Sequence, residues 1–368
     1  MQVKAAVVRA VRAPMSLETL DLDDVRENEI LVRLVATGIC HTDLAMRDQA
    51  FPVPQPIVLG HEGAGVVERI GRAVTKVGAG DHVVMSFNSC GHCPSCMEHE
   101  PTYCHDFFGS NFAGVRTDGT SPLSKGTERI HGNFFGQSSF ATHSICTERN
   151  IVKVPKDVPL ELLGPLACGI QTGAGAIMNA LKPHAGQSLA VFGSGSVGMS
   201  ALMAANAVGL TTIIAIDLVN ERLELARALG ATHVINPSMT PDTVAEIRKI
   251  TGHGVNFSFE TTGAPKVLRQ AVESLAPRGT CGFVGAAPLG TEVSLDVMDI
   301  MTQGKKLRGI VEGDSTPDVF IPQLIELHRQ GRFPFDRLVT FYPFEKINDA
   351  IDDAESGRAI KPVVRMAG

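Results

Sequence analysis

Residues 189–198, LAVFGSGSVG, decide the fold of this chain. A short apolar run is followed at once by Gly193, Gly195 and Gly198 in the pattern G-x-G-x-x-G, and then by helix-forming residues as far as 207. In a strand–turn–helix unit the first glycine permits the tight turn, the second lets the main chain approach a pyrophosphate, and the third lets helix and strand pack closely. The stretch therefore predicts a dinucleotide site at the start of a helix.

The next strand is predicted at residues 212–216, TIIAI, and Asp217 follows it directly. A carboxylate at this point accepts hydrogen bonds from the adenosine ribose and repels a 2′-phosphate, which favours NAD over NADP. The alternative role for Asp217 is that of a turn residue. Arg222 is either a second contact to the same ribose or a solvated charge on the following helix.

Strand and helix signals alternate through the middle of the chain, whereas the region before it carries short strand patterns such as 30–36 and 63–70. This order predicts an α/β fold with a doubly wound parallel sheet and a mostly β domain in front of it. A last strand-like segment, 362–365, is expected to rejoin the first domain. The predicted boundaries are 1–170 for the β domain, 171–305 for the dinucleotide domain and 306–368 for the return.

Composition excludes several classes of protein. The 368 residues carry a net charge of −6 and no basic cluster, which argues against a nucleic-acid partner. The most apolar stretch, 162–181, contains Gln171, Thr172 and Asn179, so we expect a buried helix rather than a membrane span. The N-terminal residues do not resemble a signal peptide, and a cytoplasmic location is predicted. In that compartment the eight cysteines are metal ligands or free thiols rather than disulfides.

Four cysteines lie within fifteen residues, at Cys90, Cys93, Cys96 and Cys104. Their spacing, C-x2-C-x2-C-x7-C, closes a tetrahedral thiolate cage around one zinc ion. Because all four ligands come from the protein, this zinc has no open position and is predicted to be structural. The alternative is a set of free surface thiols.

A second set of donors, Cys40, His61 and Cys168, is dispersed along the chain, as ligands gathered by a fold usually are. Two thiolates and one imidazole leave the fourth position of a zinc ion open for an alcohol oxygen, whose pKa the metal would lower. Asp43 is expected to accept a hydrogen bond from the second ring nitrogen of His61, or else to be a simple loop cap.

The sequence resembles a known family at several of these places. Residues 60–74, GHEGAGVVERIGRAV, match without a gap the signature of the zinc alcohol dehydrogenases in the medium-chain dehydrogenase/reductase superfamily, and GICHTD at 38–43 and GRAIKP at 357–362 also match. The resemblance covers essentially the whole chain. Within the superfamily the chain is most similar to the aryl-alcohol (benzyl alcohol) dehydrogenases, and geraniol-type terpene alcohol dehydrogenases share much of the pattern. The segments that indicate this branch are FGQSSF at 135–140, LGPLACGIQTGAGA at 163–176 and EGDSTPDVFIP at 312–322.

This resemblance implies a GroES-like catalytic domain and a Rossmann NAD-binding domain, with one catalytic and one structural zinc ion per chain. Glu62 is expected beneath the catalytic metal as a transient ligand, and Thr42 is expected to take the substrate proton. The basic residues His41 and Lys361 match positions at the cofactor pyrophosphate. The catalytic zinc is expected on Cys40, His61 and Cys168.

One position departs from the family pattern. Many members have a histidine three residues after the hydroxyl residue, at the end of the proton relay, and this chain has Ala45. The proton must leave by another route, through the cofactor ribose and water or with help from Arg47. We expect Arg47 to bind phosphate or to order water; the alternative is a surface charge.

The implied reaction is the reversible oxidation of a primary alcohol to its aldehyde with NAD. Four residues lie in segments that resemble substrate-pocket walls of the family: Phe51, Phe87, Phe134 and Phe135. Flat aromatic walls favour benzyl-type substrates; the alternative for each of these residues is a place in the core.

Two alternatives keep the fold, a geraniol-type allylic alcohol dehydrogenase and a glutathione-dependent formaldehyde dehydrogenase. A non-catalytic zinc-binding module is disfavoured because Cys40, His61 and Cys168 leave one position of a zinc ion open, as a catalytic site requires. A homodimer or homotetramer is expected from the resemblance, and the natural alcohol and the direction stay open.

Overall fold

The computed structural model describes residues 1–367 of the chain, which form two compact units. The first unit contains residues 1–168, 316–324 and the described residues from 336 onward. The second unit contains residues 169–315 and 325–335. Both predicted metal sets lie in the first unit, and the glycine loop lies in the second.

Strands predominate in the first 153 residues, and helices alternate with strands from Ser188 to Gly309. The strands are β1 Gln2–Val8, β2 Ser16–Leu22, β3 Glu29–Gly38, β4 Ile57–Val58, β5 Gly63–Ile70, β6 His82–Met85, β7 Leu123–Lys125, β8 Glu128–Ile130, β9 His143–Thr147, β10 Ile151–Lys153, β11 Ser188–Phe192, β12 Thr212–Ile216, β13 His233–Ile235, β14 Val255–Glu260, β15 Leu275–Phe283, β16 Lys306–Gly309, β17 Val339–Pro343 and β18 Lys361–Arg365. The α-helices are α1 His41–Arg47, α2 Pro94–Met97, α3 Phe107–Phe112, α4 Gly169–Gly175, α5 Ser196–Ala207, α6 Asn220–Ala228, α7 Thr243–Thr251, α8 Pro265–Glu273, α9 Val297–Gln303, α10 Pro317–Arg329 and α11 Ile347–Glu355. Shorter helical segments are Pro101–Tyr103, Phe134–Gly136, Leu160–Leu162, Gly164–Ala167, Ala176–Leu181, Glu312–Asp314, Phe335–Leu338 and Phe344–Lys346.

The second unit is built on a six-stranded parallel sheet in the order β13-β12-β11-β14-β15-β16. Numbered within the unit, this is the order 3-2-1-4-5-6 of the dinucleotide-binding fold. The central strands β11 (SLAVF) and β12 (TIIAI) are buried along almost their whole length, as strands covered by helices on both faces must be. The predicted doubly wound parallel sheet is confirmed.

The first unit contains two mainly antiparallel sheets, β4-β1-β2-β7-β8 and β10-β6-β5-β3-β18-β17, and β9 also pairs with β3. The register of β3 gathers three distant segments. Thr37 is paired with Gly63 at the start of β5, and Gly38 is paired with Val363 in β18. The residues just after β3, just before β5 and at the start of β18 therefore meet at one end of this sheet.

The C-terminal segment pairs with the first unit through β18 and β3, whereas the predicted starting point of the return, 306, lies within the second unit. Strand β16, Lys306–Gly309, pairs in parallel with β15 and is the last strand of the sheet in the second unit. The chain re-enters the first unit at residues 316–324, leaves it again for 325–335, and the first boundary falls after 168 rather than 170.

The apolar stretch 162–181 is buried and mostly helical, but it is not one helix. A short turn at Gly164–Ala167 stops at Cys168, whose φ of −142° and ψ of −90° are not helical, and α4 starts at the next residue. Because the main chain at Cys168 is not helical, its side chain does not have to follow the direction that a continuous helix would impose. Within residues 1–367, none of the helices combines the length and the apolar character that a membrane span requires.

Candidate active site and metal centres

Four residues that are far apart in the sequence converge in the first unit. The candidate ligand atoms of Cys40, His61, Glu62 and Cys168 all lie within 4.8 Å of one another. The Cys40 and Cys168 sulfurs are 4.0 Å apart. Two thiolates on one tetrahedral zinc ion, with bonds of about 2.3 Å, would be about 3.8 Å apart. The donors therefore suit a zinc ion both in type and in spacing.

The imidazole of His61 shows which of its nitrogens is left for a metal. The ring is fully buried, and Nδ1 lies 2.9 Å from Oδ1 of Asp43. Nε2 is buried with no hydrogen-bond partner among residues 1–367. Burial opposes protonation of His61, but the Asp43 carboxylate and, to a smaller extent, Cys40 together outweigh it and raise the pKa. Asp43 thus fixes the tautomer and makes the Nε2 lone pair a stronger ligand.

Asp43 also joins two of the ligand segments through the main chain. Its Oδ2 accepts the N–H of Cys40 at 3.0 Å, and its Oδ1 accepts the N–H of Gly60 at 3.0 Å. Gly60 has a φ of +92°, and a Cβ atom there would stand 2.5 Å from the main-chain nitrogen of Phe140. The expected contact between Asp43 and His61 is confirmed, and it is one of three contacts by which Asp43 joins the segments of Cys40 and His61.

Glu62 and Lys361 form a buried ion pair beneath the two thiols. The lysine Nζ donates to both carboxylate oxygens, at 2.8 and 2.9 Å, and to the carbonyl of Ile39 at 3.3 Å. The exposed fractions of the two side chains are 0% for Glu62 and 1% for Lys361. A Cβ atom at Gly38 would lie 1.9 Å from Oε2 of Glu62, so only glycine leaves room for the carboxylate.

This pair changes the interpretation of Lys361. The resemblance implied a contact to the cofactor pyrophosphate, but the structure directs the ammonium group to Glu62 and buries it. Burial opposes protonation of Lys361, and the Glu62 charge more than compensates, so the pKa of the lysine is raised. Removal from water likewise raises the pKa of Glu62, against the effect of Lys361.

The residues of helix α1 have different surroundings. His41 is exposed, and Thr42 is half-buried with its hydroxyl 3.8 Å from the sulfur of Cys40. Arg47 donates to Asp48 at 2.6 and 3.1 Å and to Glu355 at 2.6 Å. The structure therefore shows Arg47 in ion pairs with two carboxylates, and the expected contact of Arg47 with phosphate stays a prediction.

The predicted aromatic residues lie mainly in the core. Phe87, Phe134 and Phe135 are buried, and Phe51 is partly buried against the same cluster. The rings of Phe134 and Phe135 pack on the imidazole of His61, with centroid distances of 5.8 and 4.6 Å. These two rings therefore support the metal ligand, and of the four only Phe51 has appreciable exposure.

The four-cysteine segment forms the second convergent set. The sulfurs of Cys90, Cys93, Cys96 and Cys104 all lie within 4.8 Å of one another. Main-chain N–H groups point at them: Cys90 donates to the sulfur of Cys104 at 3.2 Å, and His105 donates to the sulfur of Cys93 at 3.4 Å. The N–H of His105 lowers the pKa of Cys93 to about 6. The geometry suits a closed thiolate cage.

The glycine loop of the second unit has the geometry that the pattern predicted. Gly193 has a φ of +96°, and a Cβ atom on Gly198 would stand 1.9 Å from the carbonyl oxygen of Gly193. Around Gly195, in contrast, a Cβ atom would meet nothing within 4 Å among the described residues. Protein packing therefore explains two of the glycines, and the third leaves space for a ligand at the start of α5.

Polar atoms without partners surround Asp217. Its carboxylate accepts the N–H of Ser194 at 2.7 Å and the N–H of Val219 at 2.9 Å, and Nη1 of Arg222 lies 4.0 Å away. The Ser194 hydroxyl and Nε of Arg222 are buried with no hydrogen-bond partner within residues 1–367. Buried polar groups without a hydrogen-bond partner are energetically costly unless a ligand supplies one. The Ser194 hydroxyl and Nε of Arg222 are therefore suited to hydrogen bonds with the hydroxyl groups of a ribose.

Comparison with known proteins agrees with this geometry. Residues 26–156 match the family described as "Alcohol dehydrogenase GroES-like domain", and residues 196–328 match "Zinc-binding dehydrogenase". A geraniol dehydrogenase from Castellaniella defragrans is 47% identical over 362 residues, which are 98% of this chain and 97% of that protein. The chain belongs to the zinc-binding alcohol dehydrogenases of the medium-chain dehydrogenase/reductase superfamily.

Solved structures extend the similarity of this alcohol dehydrogenase to the full fold. The crystal structure of an alcohol dehydrogenase zinc-binding domain protein from Burkholderia ambifaria is 55% identical, with a TM-score of 0.98. That of benzyl alcohol dehydrogenase from Acinetobacter calcoaceticus is 50% identical, with a TM-score of 0.96. In both cases the similarity covers 100% of each chain.

Several residues that shape the sites of this alcohol dehydrogenase were missed by the sequence analysis. Ser194 lies inside the glycine loop, and its position there was an available signal. Phe112 of α3 packs on Phe134 and Phe135, at centroid distances of 5.9 and 5.2 Å. Gln137 binds the main chain of His61, and nothing in the sequence around it indicated this contact.

Proposed function

We propose that this alcohol dehydrogenase interconverts a primary benzyl-type alcohol and its aldehyde with NAD, using zinc on Cys40, His61 and Cys168. The observation that carries the zinc assignment is the buried, unpartnered Nε2 of His61 in a set whose ligand atoms, including two sulfurs, lie within 4.8 Å of one another. A buried nitrogen acceptor without a partner is costly unless it coordinates an ion. The donor set provides three strong ligands and Glu62 as a further carboxylate.

Bound there, zinc supplies a Lewis acid that lowers the pKa of the substrate hydroxyl, and NAD supplies the hydride acceptor. We assign to Thr42 the transfer of the hydroxyl proton, and the distance of 3.8 Å between its hydroxyl and the Cys40 sulfur supports this role. Asp43 holds the His61 ring in place. Lys361 neutralises Glu62, so that this carboxylate can stay buried close to the sulfurs.

The preference for NAD rests on the surroundings of Asp217. Its carboxylate is largely buried and hydrogen-bonded to Ser194 of the glycine loop. A 2′-phosphate on the adenosine ribose would bring at least one negative charge against this group, whereas two ribose hydroxyls would donate to it. Arg222, 4.0 Å away, is the second contact that we propose for this ribose.

The substrate proposal rests on two relatives with related chemistry. One is named a benzyl alcohol dehydrogenase and the other a geraniol dehydrogenase. Benzyl alcohol and geraniol are both primary alcohols whose reacting carbon is bonded to an sp² carbon. The allylic alcohol is therefore the second candidate, and the aromatic one is preferred because that relative is 50% identical over the full chain.

A panel of alcohols tests the proposal through NADH absorbance. We expect kcat/KM for benzyl alcohol to exceed that for geraniol moderately and that for ethanol by at least a hundredfold. Geraniol as the best substrate would favour the allylic alternative, and equal values for benzyl alcohol and ethanol would refute both. Glutathione should leave aldehyde turnover unchanged, which separates the enzyme from a formaldehyde dehydrogenase that depends on it.

We further propose two zinc ions per chain, a cytoplasmic location and a homodimer or homotetramer. Thiolate ligand sets persist in a reducing compartment.

Strand β16 is an edge strand with all its residues exposed, and Val297, Met298 and Met301 of the preceding helix are also exposed. An edge strand beside apolar side chains is suited to pairing with a second copy, and sedimentation analysis would reveal the oligomer.

A further inference from the structure

Gln137 is a buried amide, 2% exposed, that satisfies four main-chain groups at once. Its Oε1 accepts the N–H of Gly63 at 3.1 Å. The two hydrogens on its Nε2 are shared among three carbonyl oxygens, those of His61 and Met85, each at 3.0 Å, and that of Ser86 at 3.1 Å. One N–H and three carbonyls leave only one sensible orientation for the amide.

These contacts hold the ligand segment from both sides. Gln137 binds the residue at the metal, His61, and also Gly63, so the peptide groups around Glu62 are fixed between two hydrogen bonds. A Cβ atom at Gly63 would stand 2.6 Å from Cε of Met85 and 3.1 Å from Oε1 of Gln137. Glycine at this position is what allows the amide to approach the strand.

Ser86 continues the contact to another ligand. Its carbonyl accepts from Gln137, and its hydroxyl donates at 2.6 Å to the carbonyl of Ala167, the residue before Cys168. Ser86 is fully buried. A continuous set of hydrogen bonds therefore runs from His61 through Gln137 and Ser86 to the segment that carries Cys168.

We propose that Gln137 and Ser86 are positioning residues that hold His61 and Cys168 at metal-binding separation, and that the retention of zinc at this site depends on them. Asp43 joins the segments of Cys40 and His61, and the hydrogen bonds of Gln137 and Ser86 join those of His61 and Cys168. The inference rests on the proposed zinc ligands. Removing partners that orient a ligand typically lowers metal affinity by about 10- to 100-fold.

Release of zinc from the loaded enzyme to a chromophoric chelator measures this effect without using activity. Gln137→Met keeps the side-chain volume but removes every one of its hydrogen bonds. We expect zinc to leave the Cys40 site about 10 to 100 times faster, while release from the four-cysteine cage stays unchanged. Ser86→Ala, which removes the hydroxyl contact to Ala167 and leaves the carbonyl contact to Gln137 in place, should cause a smaller acceleration of the same phase.

Asn348→Leu is the control in the same unit. The half-buried amide of Asn348 accepts the N–H of Met15 at 2.9 Å and donates to its carbonyl at 3.0 Å, and neither residue belongs to a ligand segment or to the contacts of Gln137 and Ser86. We expect this variant to lose stability but to keep the wild-type release rate. Equal acceleration in Asn348→Leu and Gln137→Met would overturn the proposal, because the effect would then come from general destabilisation.

Two further outcomes keep the test decisive. If Gln137→Met does not fold, Ser86→Ala carries the test, and an unchanged release rate in that variant would overturn the inference. Cys40→Ser should retain only the zinc of the four-cysteine cage, which assigns the two kinetic phases. If Cys40→Ser kept both ions, the proposed ligand set itself would fail, whatever the effect of Gln137.

Discussion

Replacing Lys361 by methionine would leave the carboxylate of Glu62 buried without its cation. The lysine makes three hydrogen bonds, two to Glu62 at 2.8 and 2.9 Å and one to Ile39 at 3.3 Å, and its side chain is 1% exposed. Removing one partner of such a buried pair costs about 3–5 kcal/mol. With a urea m-value of about 3 kcal/mol per molar, the unfolding midpoint should fall by about 1 to 1.7 M.

The assay is urea unfolding of the zinc-loaded protein, followed by circular dichroism, together with the KM for NAD. The double variant Glu62→Gln/Lys361→Met is the control, and it should recover much of the lost stability because neither member of the ion pair is left buried without its partner. A single variant with wild-type stability but a strongly raised KM for NAD would refute this reasoning. It would instead restore the pyrophosphate contact that the family resemblance implied for Lys361.

Three other substitutions test the ribose contact, the four-cysteine zinc site and the proton transfer. Asp217→Asn should lower kcat/KM for NAD by about 10-fold or more, since a hydrogen bond to a charged group contributes about 1.5–3 kcal/mol, and it should reduce the preference for NAD over NADP. An unchanged ratio of kcat/KM with NAD to kcat/KM with NADP would count against the ribose contact. Cys104→Ser should reduce the zinc content by one ion and lower the thermal unfolding midpoint, and a variant that still bound two ions would contradict the cage. Thr42→Val should lower kcat by about 10²–10⁴-fold at constant zinc content, with Thr42→Ser restoring most of the rate; a fully active Thr42→Val would exclude the proton transfer.

Local patterns in the sequence predicted the parts of the fold that depend on neighbouring residues. Strands β5 and β12 have the predicted bounds because β-branched and apolar residues run between clear turn signals. The glycine loop was recognisable because its three glycines meet steric demands within one turn. The Asp43–His61 contact followed from the general need of a ligating histidine for a partner.

Long-range contacts could not be predicted from the same patterns. Lys361 and Glu62 are 299 residues apart, and only the pairing of β18 with β3 brings them together. Nothing in the composition of 162–181 showed that its helix would stop at Cys168. Arg47 and its partner Glu355 are likewise 308 residues apart, so its ion pair was not visible from the sequence.

The aromatic residues illustrate a different obstacle. Sequence similarity placed Phe134 and Phe135 near the reaction centre, and the structure does place their rings against His61. It also shows that they are 0% and 3% exposed. Proximity to a site follows from the segment, but whether a ring faces the substrate or supports a ligand depends on side-chain packing, which a pattern of residue types does not encode.

The proposed reaction depends on one zinc ion that Cys40, His61 and Cys168 share. Anomalous diffraction at the zinc absorption edge tests it directly on crystals of the zinc-loaded enzyme. We expect two peaks per chain, with one of them about 2.3 Å from the sulfurs of Cys40 and Cys168 and about 2.0–2.1 Å from Nε2 of His61. A single peak inside the four-cysteine cage, with no density between Cys40 and His61 in fully loaded protein, would contradict it.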